Sequence, residues 1–75
     1  MVAFPNPAVN NVRIAFEAVT AIRVVDVHGR VIYQSNLPEA KGALDLNTSD
    51  WAPGAYFIQA FQGETPVDRQ VLIKQ

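Results

Sequence analysis

Seventy-five residues of net charge −1, 49% apolar and 17% charged, make one small folded domain and exclude a second domain or a disordered chain. A chain this short buries only about 60% of the surface its unfolded form exposes, so its margin of stability is thin. The absence of cysteine rules out a disulfide framework, a thiolate nucleophile and cysteine-held zinc. The six basic residues, Arg13, Arg23, Arg30, Lys41, Arg69 and Lys74, form no run and leave no electrostatic footprint for nucleic acid.

Met1-Val2-Ala3-Phe4-Pro5 has neither a basic opening nor a sustained apolar core, so it does not read as a signal peptide. No apolar run approaches the length that spans a bilayer, so the chain reads as not membrane-spanning. For an exported protein the address would lie elsewhere on a longer parent, or in this domain itself.

Along the chain, period-two alternation dominates. Val12, Ile14 and Phe16 face one way and Arg13, Ala15 and Glu17 the other, which predicts a half-buried strand. Ala21 to Val27 is more continuously apolar and β-branched, the mark of a central strand. Asp26-Val27-His28-Gly29 reads as a turn, with Asp26 capping it through its side chain. Gly29 there takes the left-handed conformation of a three-residue hairpin with a bulge. Arg30 to Ser35 is the return strand, and Asn36 to Gly42 is a loop by composition.

Ala43-Leu44-Asp45-Leu46-Asn47 alternates again. Thr48 to Pro53 connects it to a strand that Gly54 opens and that runs from Ala55 to Phe61. Gln62-Gly63 is a two-residue hairpin signal. Glu64 to Gln75 forms the last strand, with Val67, Val71 and Ile73 on one face, and Pro66 marks its start or a bulge because it has no N–H to give a ladder. No amphipathic helical stretch is present. About seven short strands at turn spacings of roughly ten residues predict an all-β fold, a compact immunoglobulin-like antiparallel sandwich.

Reactive groups are sparse. His28, the single histidine, lies at the tip of the predicted hairpin, where no packing would hold it for a triad. The carboxylates Asp26, Asp45, Asp50 and Asp68 lack calcium-loop spacing, and neither a metal nor a cofactor is expected. Trp51 with Tyr56 and Phe57 would serve as a sugar platform, or as a cover over one end of the core. Alternation sends Tyr56 and Phe57 to opposite faces, so one of them is exposed. Pro5-Asn6-Pro7 forces an extended, then turned, approach to the first alternating strand. Prolines there also deny an intruding strand its partners.

The landmarks Phe4-Pro5-Asn6-Pro7, Asp26-Val27-His28-Gly29-Arg30, Leu44-Asp45-Leu46, Pro53-Gly54-Ala55-Tyr56-Phe57 and a closing apolar strand ending in Lys74 occur in a fixed order. Together they resemble the C-terminal sorting domain of the type IX secretion system, with which Bacteroidetes export proteins across the outer membrane. The likeness runs from Phe4 to Lys74. The family's aromatic-Pro-Asn-Pro opening falls on Phe4 to Pro7, its Asp-x-x-Gly-basic turn on Asp26, Gly29 and Arg30, and its Leu-x-Leu strand on Leu44 and Leu46. Its Pro-Gly-x-Tyr-Phe signature falls on Pro53, Gly54, Tyr56 and Phe57, and its basic end on Lys74. The chain departs from the pattern in closing on Gln75 and in having only Arg69 and Lys74 as basic residues near its end.

The resemblance implies a non-catalytic address label, residues 1–75 being one sorting domain cut from a larger secreted protein. It implies a cargo domain on the N-terminal side, transit through the periplasm and delivery to the cell surface or medium. Its partners would be the outer-membrane translocon and a sortase-like surface protease that removes the domain. The residues expected to carry recognition or shape it are Phe4, Pro5, Asn6, Pro7, Asp26, Gly29, Arg30, Gly54, Tyr56 and the terminal Val71, Leu72, Ile73 and Lys74. β-Augmentation onto an edge strand is an available docking mode, and the same edges could pair two copies into a dimer. The rival reading is a carbohydrate-binding or adhesive sandwich module that works through Trp51 and Tyr56.

Overall fold

The computed structural model describes residues 1–75 and contains seven strands: β1 (Val2–Phe4), β2 (Asn11–Phe16), β3 (Ala21–Asp26), β4 (Val31–Asn36), β5 (Gly42–Asn47), β6 (Gly54–Gln62) and β7 (Thr65–Lys74). They form a three-stranded sheet in the order β1-β2-β5 and a four-stranded sheet in the order β4-β3-β6-β7. Every strand pair within the two sheets is antiparallel. The all-β sandwich expected from the alternation is the fold observed.

Alternation also decides what lies between the sheets. Val12, Ile14 and Phe16 of β2 and Leu46 of β5 are buried from one side, and Ile22, Val24, Tyr56, Ile58, Ala60 and Leu72 from the other. Ile14, Ile22, Ile58 and Leu72 have 0% exposure, and burying each such side chain contributes about 1.5–3 kcal/mol. With so few large apolar side chains, the loss of any one of them removes a sizeable part of the total.

Four details refine the sequence reading. β1 has no counterpart in the sequence pattern: three residues before a proline are too short to show a period, yet Val2, Ala3 and Phe4 pair with Ala15, Ile14 and Arg13. In the last hairpin Gln62 pairs with Thr65, so the two loop residues are Gly63 and Glu64, one position later than the Gln62-Gly63 signal. Pro66 lies opposite Phe61 at an irregularity in the β6–β7 register, where a missing N–H is tolerated. Val67, Val71 and Ile73 share a face as expected, and that face is the outer one: all three are exposed while Leu72 is in the core.

Candidate functional site

Register gathers the sequence landmarks at one end of the four-stranded sheet. Asp26 of β3 lies opposite Tyr56 of β6, which lies opposite Leu72 of β7. Gly54 lies opposite Lys74, and Lys74 forms an isolated parallel bridge with Ala8. The Asp26–Arg30 turn, the Gly54–Tyr56 start of β6, the end of β7 and the Pro5–Ala8 segment are therefore neighbours in space. Leu44 and Leu46 stand apart from this end, in β5, where they face Ile14 and Val12 across the ladder.

The turn is built around one carboxylate. Gly29 N–H donates to the Asp26 carbonyl at 3.1 Å and Asp26 N–H to the Arg30 carbonyl at 3.0 Å, closing a three-residue loop. Oδ1 of Asp26 accepts from His28 N–H at 2.9 Å and from Arg30 N–H at 3.0 Å, and Oδ2 accepts from Arg30 Nε at 3.0 Å. Gly29 has φ 79°, a conformation that favours glycine because it has no Cβ to clash. Burial pushes the Asp26 carboxyl up, but the two backbone N–H donors and the Arg30 guanidinium outweigh it and hold the group below the usual carboxylate range. His28 is exposed on this turn.

Beside the turn, a groove of about 250 Å³ runs between Asp26–Arg30 and Ala52–Tyr56. Gly54, at φ 145°, takes a backbone conformation that side chains disfavour where the chain enters β6. Tyr56 is buried and donates its hydroxyl proton to the Ala52 carbonyl at 2.6 Å. Trp51 packs on the core with its ring 4.9 Å from that of Tyr56 and tilted 47° to it. Tyr56 therefore serves the inner face, and Phe57 is the member of the pair turned outward.

The opposite border of the sheet carries a second device. The Asn6 side chain donates through Nδ2 to the Val71 carbonyl at 2.9 Å and accepts the Ile73 N–H on Oδ1 at 3.0 Å. Ala8 N–H then donates to the Ile73 carbonyl at 2.7 Å, and Gln75 N–H to the Ala8 carbonyl at 2.9 Å. Gln70 does the same in reverse, accepting Ala3 N–H at 3.1 Å and donating to the Ala3 carbonyl at 3.4 Å. Two side-chain amides thus occupy backbone groups that edge strands otherwise leave free. β-Augmentation onto β7 between Val71 and Gln75 would first have to displace Asn6 and Ala8.

Among the residues expected to matter, Phe4, Pro5, Asn6, Pro7, Gly29, Arg30, Gly54, Val71 and Ile73 are exposed, while Asp26, Tyr56, Leu72 and Lys74 are buried. Leu72 and Lys74 hold the end of β7 in place, and the surface there belongs to Val71 and Ile73. Sequence reasoning missed Gln70 and Ala8: a lone Gln in a strand and an Ala after a proline carry no local signal of the long-range bonds they make.

The chain matches the family described as Secretion system C-terminal sorting domain over residues 2–74. It belongs to that family. Comparison with curated proteins and with solved structures gave no match. As a type IX C-terminal sorting domain, the chain acts as a signal for secretion across the outer membrane to the cell surface or the extracellular space. Sorting domains of this family are generally non-catalytic, and they work with the secretion machinery on behalf of a cargo on their N-terminal side. No helix is long and apolar enough to cross a membrane.

Proposed function

We propose that this sorting domain is read by the translocon as a folded unit, through the outward side chains of the β7 end and the Pro5-Asn6-Pro7 segment seated beside it. The observation that carries this reading is the Asn6 bridge to Val71 and Ile73, which ties the first and last landmarks into one rigid surface. A preformed surface loses little conformational entropy on docking. Leu72 and Lys74 contribute from below by anchoring the strand. Residues 1–75 form the C-terminal domain of a larger secreted protein, and a sortase-like surface protease removes the domain after export by cutting upstream of it, at or before Met1.

The experiment is a secreted reporter carrying the domain at its C-terminus, expressed in a Bacteroidetes host. Deleting residues 71–75 abolishes its appearance in the medium, and the fold-preserving pair Val71→Ser with Ile73→Ser lowers it strongly. The released reporter lacks the sorting domain by mass spectrometry. Undiminished export of both variants would overturn the assignment to β7, and released reporter with an intact domain would overturn the removal step.

A further inference from the structure

The outer face of the four-stranded sheet is less polar than a solvated face should be. In an antiparallel sandwich the outward positions ordinarily carry polar side chains. Here Val31, Val25, Phe57 and Val71 stand opposite one another in register, forming an apolar row across all four strands, and Ala55 and Ile73 extend it. Val31, Val71 and Ile73 are 49%, 46% and 43% exposed. These side chains are contiguous, whereas exposed apolar residues that need no explanation are scattered singly.

The charge on this face has one sign. Arg23 and Arg69 flank Gln59 in the next row, and no Asp or Glu occupies an outward position on β3, β4, β6 or β7. Arg69 lies 4.5 Å from the centre of the Phe57 ring, and Arg23 lies 4.9 Å from that of Phe61. Neither pairs with a carboxylate, unlike Arg13 and Arg30, which bond Asp45 and Asp26. The Nε of Arg23 is shielded from solvent and makes no hydrogen bond, although a guanidinium has five N–H donors to place.

Resting on the sorting reading, we infer that this whole sheet face, from β4 to β7, is the docking surface for a protein of the export machinery whose own surface is apolar and bordered by carboxylates. Aromatic and arginine side chains are enriched among the residues that anchor protein interfaces. Carboxylates from the partner would meet the guanidiniums of Arg23 and Arg69, which no carboxylate of this chain pairs, in charge-assisted hydrogen bonds. A second copy of the domain fits poorly, since it would bring two more guanidiniums to the interface and no carboxylate.

The test uses the reporter fused to the complete domain. Arg69→Glu and Val31→Ser, placed respectively on β7 and at the far border of the face, should each reduce export by about tenfold or more. Lys41→Glu, with the same charge change in an exposed loop, should leave export unchanged, and circular dichroism of the purified variants should match the unaltered domain. A photo-crosslinking residue at Val31 should trap the domain on a translocon component, and that adduct should vanish with Arg69→Glu. Failure of the unaltered fusion to leave the cell would overturn the sorting reading itself. Normal export of Arg69→Glu and Val31→Ser beside loss in Val71→Ser with Ile73→Ser would overturn the face and leave the β7 end. Binding of the purified domain to phosphatidylethanolamine–phosphatidylglycerol vesicles that Arg69→Glu abolishes would assign the face to lipid, and a dimer in sedimentation that Val31→Ser dissolves would assign it to a second copy. Either result overturns the proposal.

Discussion

Asn6 accepts the Ile73 N–H at 3.0 Å while donating to the Val71 carbonyl at 2.9 Å, so one side chain does what the peptide group of a neighbouring strand would do. The two residues stand at opposite ends of the sequence. Asn6→Ala leaves both backbone groups to water and should cost about 1–2 kcal/mol in chemical denaturation. The accompanying signature is faster hydrogen exchange at the Ile73 amide, with the Ile58 amide in the sheet interior protected to the level of global unfolding.

Leu72 and its neighbours Val71 and Ile73 separate stability from surface. Leu72 is wholly buried, and Leu72→Ala should cost about 2–5 kcal/mol, enough to unfold much of so small a domain. Val71→Ala and Ile73→Ala trim side chains on the outer face, so each should cost no more than about 1 kcal/mol. Thermal melts of the three variants read the difference directly.

The Asp26 turn sets an acid limit. Its carboxyl is held below the usual range in the folded state, whereas in the unfolded chain it titrates at about 3.9. The stability it contributes is therefore complete above that value and is lost as pH falls through the folded value. Denaturation midpoints measured from neutral pH down through the carboxylate range should fall at the acid end, and Asp26→Asn should show a smaller fall over the same interval.

Gly29→Ala isolates backbone strain. Nothing lies within 4 Å of the Cβ it would add, so sterics with neighbours play no part. The φ of 79° alone should cost about 1–2 kcal/mol in equilibrium unfolding.

The sandwich was legible because its signal is local. Val12, Ile14 and Phe16 alternate within one strand, and Asp26 and Gly29 fix their turn within four residues, so period and turn chemistry were enough. The seam between the sheets was not legible, because Asn6 reaches β7 and Gln70 reaches Ala3 across nearly the whole sequence. Pro5-Asn6-Pro7 reads as a rigid, extended segment, yet nothing in it says which strand receives the amide. Tyr56 and Phe57 could be assigned to opposite faces by parity, but choosing Tyr56 for the inside required the Ala52 carbonyl that receives its hydroxyl. The outer face of the larger sheet was hidden for a similar reason. Val31, Val25, Phe57 and Val71 form a row only once three strand registers are fixed, and each of them alone is an ordinary strand residue.

The most direct measurement is a sufficiency assay. A fluorescent protein with an N-terminal signal peptide carries residues 2–75 at its C-terminus in a Bacteroidetes host, and medium, cell surface and periplasm are assayed separately. Fluorescence is expected in the medium or on the surface, and should be lost in a strain that lacks the type IX translocon. Intact, folded fusion retained in the periplasm of the unaltered host would contradict the sorting reading.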